Sequence, residues 1–290
     1  MPVKLSGVSH TYLEKTPFET KALIDVDLEV ADGEFLGIIG PTGSGKSTLI
    51  QIIDGLIKPT SGQVVVDGLD LLIKANLRAV RRRVGLIFQY PEHQLFEESV
   101  LADVSFGPKN LGLSEEEVAG RAREALRLVG LDPEKTGPRS PFALSGGQMR
   151  RVAIAGVLAM RPSLLILDEP AAGLDPRGRG EILGYVHKLH AERGQTVILV
   201  SHHMEDVARL ADRVVVMNHG RVVMDAPTAK VFGAGDELSR LGLRVPPVVE
   251  LMQKLKERGW SLEVDALTVE EAAARIIKAA PAGPSGGVRG

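Results

Sequence analysis

Short apolar runs bounded by turn residues recur at 35–39, 64–66, 84–88, 164–167, 197–200 and 214–217. Runs of this length, rich in Val, Ile and Leu, predict β-strands. After Lys46, and again over 179–193, the spacing becomes helical, and in the second stretch Ile182, Leu183, Val186 and Leu189 share one face. Strands alternating with helices predict an α/β fold with a largely parallel sheet. From Gln89 to Arg161 the strand pattern stops, and Glu-, Arg- and Ala-rich helical stretches such as 114–129 replace it. This predicts a helical insertion, at about 90–161, within an α/β domain spanning 1–233.

Beyond Met224 two amphipathic helices are expected. Pro246-Pro247 opens the first and Gly259 closes it, with Val248, Leu251, Met252 and Leu255 at helical spacing. Thr268 and Glu271 form a capping box for the second, which carries Val269, Ala272, Ala273, Ile276 and Ile277 on one face. Each stripe needs a cover: the main domain, the other helix, or another subunit. The expected division is a C-terminal extension over 234–280 and a Gly- and Pro-rich tail without fixed structure over 281–290.

Composition narrows the classes. The chain has 290 residues, 44% of them hydrophobic, which is ample for a core. A net charge of -2 with interspersed signs makes no demand for a nucleic acid or an anionic membrane as direct partner. Arg81-Arg82-Arg83 reads as a solvated helix face. The lack of cysteine excludes disulfides and thiolate metal sites. No apolar stretch approaches the ~20 residues of a spanning helix, and Met1-Pro2-Val3-Lys4-Leu5 has no signal-peptide core. Any membrane connection is expected to run through another protein.

The chemistry begins at Gly40-Pro41-Thr42-Gly43-Ser44-Gly45-Lys46-Ser47, a phosphate-loop pattern that follows a predicted strand and opens a predicted helix. Loop amides, the helix dipole and the Lys46 ammonium converge on nucleotide phosphates, and the Ser47 hydroxyl is placed to ligate Mg²⁺. Asp168 ends an apolar strand, at the sheet rim where ligands bind in α/β folds, and is expected near the metal; Glu169 follows directly, and a structural ion pair is the alternative use of this carboxylate. Ser145 reads as an N-cap, with Gly146 and Gly147 baring amides where a helix starts at about Gln148. That makes either a plainly capped helix or a second anion site with no second nucleotide in the same chain. Head-to-tail pairing of two chains would resolve the surplus. His187 and His190, three apart on a helix, are expected to face solvent.

The phosphate loop, Gln89, Leu144-Ser145-Gly146-Gly147-Gln148, Asp168-Glu169 and His202, in this order along the chain, resemble the nucleotide-binding subunit of an ABC protein over about 3–224. The resemblance implies a RecA-like phosphate-loop NTPase core with a helical signature subdomain and a small C-terminal helical extension. It implies ATP held by Gly40, Pro41, Thr42, Gly43, Ser44, Gly45, Lys46, Ser47 and Thr48, with Tyr12 stacked on adenine. For Tyr12 an ordinary packing role is the alternative. It further implies that Glu169 polarises the attacking water, that His202 contacts the γ-phosphate, and that Gln89, with Ser47 and Asp168, serves Mg²⁺. Ser145, Gly147 and Gln148 would serve the ATP of the opposite subunit, with Asp175 reaching across.

One copy of each motif, and only 55 residues between Gln89 and Ser145, argue against tandem or coiled-coil soluble members. The stretch from Phe88 to Val100 (FQYPEHQLFEESV) followed by Phe106-Gly107-Pro108-Lys109-Asn110 resembles the ATPase subunits of energy-coupling factor importers, which take up vitamins and transition-metal ions. Arg244-Val245-Pro246-Pro247 resembles that family's extension. The chain departs from the pattern at Ala171-Ala172-Gly173 and at His203. The resemblance implies a second ATPase subunit, identical or paralogous, a transmembrane coupling subunit, a substrate-binding membrane subunit, and a peripheral place on the cytoplasmic face of the membrane. Another importer class, a soluble ABC machine and a silent partner subunit are the competing readings. Leu95, Phe96 and Val100, just past Gln89, are expected either to form a groove for the membrane partner or to pack in the core.

Overall fold

The computed structural model describes residues 2–279. The expected tail over 281–290, and Ala280 at the end of the extension, lie outside them. Strands β1 (Val3–Tyr12), β2 (Thr20–Val30), β4 (Ser61–Val66) and β5 (Leu69–Asp70) form an antiparallel sheet in the order β2-β1-β4-β5. A second sheet runs β10-β9-β3-β8-β7-β6, built from β3 (Phe35–Ile39), β6 (Val84–Ile87), β7 (Leu164–Asp168), β8 (Thr196–Val200), β9 (Arg213–Asn218) and β10 (Arg221–Pro227). It is parallel except where β10 pairs with β9. The expected single parallel sheet is thus corrected to two, and the strand at 64–66 belongs to the antiparallel one.

Side chains alternate across a strand, and here the alternation sorts residues into two cores. Phe35 and Ile39, Leu165 and Leu167, Val197 and Leu199, Val214 and Val216 face one core. Leu36 and Ile38, Leu164 and Ile166, Ile198 and Val200, Val215 and Met217 face the other. Burial on both faces is why these strands read as unbroken apolar runs. The second core also takes β1, β2 and β4 and helix α1 (Lys46–Ile53), so α1 is sealed in with Leu49, Ile50, Ile52 and Ile53 all buried. Helix α2 (Asn76–Arg81) leads into β6.

The first core continues into the insertion. No strand interrupts the described residues between β6 and β7, which hold a 3-10 turn at Pro91–Gln94, α3 (Val100–Asn110), α4 (Glu115–Leu128), α5 (Pro133–Thr136), a second 3-10 turn at Pro141–Ala143 and α6 (Gly146–Ala159). Val104, Ala122, Leu126 and Ile154 join that core. Helix α7 (Pro176–Arg193) buries Ile182, Leu183, Val186 and Leu189 as expected. His190 is not solvent-facing: its Nδ1 lies 2.9 Å from the Gln195 carbonyl and its ring meets Phe35 edge to face. Helix α8 (Met204–Leu210) packs onto β3 so closely that a Cβ at Gly37 would lie 2.5 Å from Val207.

Helices α9 (Thr228–Gly233), α10 (Gly235–Arg240), α11 (Pro247–Glu257) and α12 (Val269–Ala279) complete the described residues. Leu238, Leu243 and Val249 enter the main core, whereas Met252, Ala266 and Ala272 form a small separate cluster. The buried pair of α11 is Val249 and Met252, one turn apart, and Leu251 points outward. On α12 the Ala272 side is covered and the predicted face is split, leaving Val269 and Ile277 exposed.

Candidate active site

Four parallel strand ends converge. Asp168 lies in register with Val200, and Val200 with Ile38, so β3, β7 and β8 finish together, and β6 finishes beside β7. Beyond these ends come the phosphate loop, Glu169, His202 and Gln89. With Tyr12, Gly40, Thr42, Gly43, Ser44, Gly45, Lys46, Ser47, Thr48 and Asp168 they line one cleft of about 500 Å³. Pro41 faces the other side of the loop, toward a hollow shared with His219 and Arg240.

The loop geometry forces glycine at two points. A Cβ at Gly40 would lie 2.3 Å from the Met217 carbonyl oxygen, and one at Gly45, where φ is +102°, 2.4 Å from that of Ala22. The Lys46 ammonium bends over the loop, donating to the carbonyls of Gly40 (2.8 Å) and Pro41 (3.0 Å). Burial pushes its pKa down, against the pull of the Glu169 and Asp168 charges. Burial likewise pushes the Asp168 carboxyl up, and the Ser47 hydrogen bond offsets this only in part. These are groups prepared for an opposite charge.

Glu169 has φ of +49°, rare for a residue with a side chain, and its N–H is held by the Val200 carbonyl at 3.0 Å. That turn lifts the carboxylate out of the strand line toward His202, whose Nδ1 is 2.8 Å from Oε2. Burial, then the neighbouring His202 and Arg179 charges, lower the His203 pKa. Tyr12 is the last residue of β1, and its hydroxyl lies 3.2 Å from Thr48 Oγ1. Thr20, Lys21 and Ala22 also line the cleft. No motif announces them; they arrive because Thr20 pairs with Tyr12 across β1 and β2.

The signature residues lie elsewhere. Ser145 caps α6, accepting from Gln148 N–H, while Gln148 Oε1 accepts from Ser145 N–H at 3.2 Å, a complete capping box. The helix therefore starts at Gly146, two residues earlier than expected. Asp175 is the N-cap of α7, its Oδ1 accepting from Gly178 N–H at 2.7 Å. Ser145, Gly147 and Asp175 line a second cleft of about 490 Å³ with Arg151, Arg177 and Glu181. Gln148 is spent on the cap. The two clefts share no residue.

Past Gln89, Leu95 and Val100 pack into the core, so the groove expectation fails for both. Phe96, 58% exposed, stays on the surface with Phe106, their rings edge to face at 4.9 Å. Sequence reasoning also missed Arg150, buried in α6 and paired with Glu92. Burial raises the Glu92 carboxyl pKa, but the Arg150 hydrogen bonds and charge outweigh it and hold the group below its ordinary value.

This arrangement defines a nucleotide-binding cassette, and comparison with known proteins agrees: the family model described as ABC transporter matches residues 23–172, and the chain belongs to that family. It is 53% identical to the energy-coupling factor transporter ATP-binding protein EcfA2 of Clostridium tetani, over 96% of this chain and 97% of that protein. To the protein of the same name from Symbiobacterium thermophilum it is 59% identical, covering 95% of this chain and 96% of the relative. Among solved structures, cbiO1 of Clostridium perfringens, described as part of the ABC transporter complex cbiONQ, matches with a TM-score of 0.73 and 37% identity, over 87% of this chain and 98% of that one. The dimeric ATP-binding cassette MJ0796 bound to ADP and Pi matches with a TM-score of 0.70 and 35% identity, over 78% of this chain and 98% of that one.

Proposed function

We propose that this chain is the ATP-binding and hydrolysing subunit of an energy-coupling factor importer, driving uptake of a vitamin or transition-metal ion through membrane partners. The observation that carries the reading is the separation of the two clefts. One holds a phosphate loop, two carboxylates and a histidine; the other holds a capped helix start with bare glycine amides and no phosphate loop. Each is half of a site, and two chains head to tail supply both halves twice.

In the composite site Lys46 and the loop amides hold the β- and γ-phosphates, Tyr12 packs on the base, and the neighbour's Ser145 and Gly147 close on the γ-phosphate. Glu169 orients water for attack and His202 fixes that carboxylate. Ser47, Asp168 and Gln89 offer hard oxygen donors that suit Mg²⁺. Among the described residues no group of three or more His, Cys, Asp or Glu forms a metal cage, as fits an ion held mainly by substrate phosphates. When bound it neutralises phosphate charge.

No helix among the described residues is long and apolar enough to cross a membrane. Attachment to the cytoplasmic face runs through the coupling subunit, and Tyr90, Phe96 and Phe106 are exposed aromatics past Gln89 offered to it. Replacement of Glu169 by Gln tests the composite site: Mg-ATP should still bind, hydrolysis should fall about 10³-fold, and a closed dimer should accumulate on size-exclusion chromatography. A variant that remains monomeric with ATP and turns over normally would sink the reading.

A further inference from the structure

Arg150 is only 3% exposed and lines neither cleft. Its Nε and Nη2 donate to the two oxygens of Glu92 at 2.9 and 2.7 Å, and its Nη1 donates to the Ala172 carbonyl at 2.5 Å. The guanidinium sits 5.8 Å from the Tyr90 ring centroid. One side chain thereby fastens three segments. Glu92 follows Gln89 by three residues; Arg150 itself is in the second turn of α6, whose start presents Ser145 and Gly147. Ala172 closes the turn after Glu169, its N–H bonded to the Glu169 carbonyl at 3.0 Å, and leads into Asp175.

A buried ion pair contributes little net stability against a well-packed apolar substitute, but a planar fork with fixed donors holds relative geometry well. Every element fixed here carries a group assigned to one half-site or the other. We propose that Arg150 is a positioning residue that couples the two half-sites of one chain, tying the Gln89 and Glu169 segments to the signature helix so that they move as a unit. This rests on the composite-site reading above.

The test uses the full chain with Arg150→Met, Arg150→Lys and Glu92→Gln. Three quantities are read: affinity for a fluorescent ATP analogue, the ATP-driven dimerisation midpoint in a Glu169→Gln background, and kcat. Analogue affinity, a property of the phosphate-loop cleft alone, should stay within about twofold for Arg150→Met, while kcat and dimerisation each weaken at least ~10-fold. Lys restores the charge but not the fork, so Arg150→Lys should lie nearer to Met than to wild type. Wild-type kcat and dimerisation in Arg150→Met overturn the proposal. So does a loss of analogue affinity in parallel with kcat, which marks a merely structural residue. If Arg150→Met does not fold, Glu92→Gln, which keeps shape and one acceptor, decides by the same readouts with an expected loss of about threefold in kcat. Failure of the Glu169→Gln parent to dimerise would remove the composite site itself; a defect confined to the Arg150 and Glu92 variants speaks to the coupling.

Discussion

The phosphate-loop cleft and the signature cleft both lie at helix starts, yet they are built on opposite terms. Around the first, Lys46 is desolvated, Asp168 is pushed toward its neutral form, and Glu169 holds a left-handed backbone. Around the second, Ser145 and Gln148 satisfy each other, and Asp175 satisfies Gly178. At the phosphate-loop cleft, desolvation and a strained backbone stand where the charge of a nucleotide would offset them in the proposed site; the signature half, proposed to close over a neighbour's ligand, is locally complete. The first region should therefore trade stability for binding, and the second should tolerate change until two chains meet.

That difference can be broken at Gly147. A Cβ there meets nothing within 4 Å, so Gly147→Val should leave the fold and single-chain ATP affinity near wild type. Hydrolysis should nevertheless fall about 10²-fold, because the branched side chain fills the space a neighbour's γ-phosphate needs. Parallel losses in ATP affinity by fluorescence titration would show that the halves are not separate.

How much of this was legible in the chain depends on what constrained each residue. The phosphate loop reads directly because close carbonyls exclude any side chain at Gly40 and Gly45. Strands buried on both faces read as apolar runs, but that criterion passes over β1 and β2. Those strands bury one face, and β1 is broken by register shifts at Leu5, Val8 and His10. Ser145 reads as the N-cap from the sequence, and its capping box with Gln148 starts the signature helix at Gly146, two residues before the expected start. Leu95 and Val100 have the composition of a groove and of a core alike, and only packing separates them from Phe96. Arg150 and Glu92, 58 positions apart, are joined by tertiary structure alone.

The comparison sharpens at Asp54, where α1 ends. Burial raises its pKa to about 7, with Arg81 opposing. A raised carboxyl pKa means the ionised form resists folding: the penalty is full above about pH 7 and fades as pH falls toward the ordinary carboxylate value. Asp54→Asn should be more stable than wild type by roughly 2 kcal/mol at pH 8, since a buried amide keeps part of the desolvation cost, with the gain gone near pH 4. Urea midpoints at the two pH values check it; a gain independent of pH would contradict the assignment. Smaller still, Tyr12→Ala should weaken ATP binding by about 1 kcal/mol through lost stacking, raising KM more than it lowers kcat. Unchanged ATP affinity would return Tyr12 to a packing role.

Complementation between two disabled chains tests the shared site most directly. Lys46→Ala removes the phosphate-loop half and keeps the signature half; Gly147→Val does the reverse. Each alone should be nearly inactive, and a mixture should hydrolyse ATP well above the sum of the two, because mixed dimers regain one site with both halves intact. Hydrolysis by the mixture no greater than that sum, or near-normal turnover by Gly147→Val alone, would contradict a site divided between two chains.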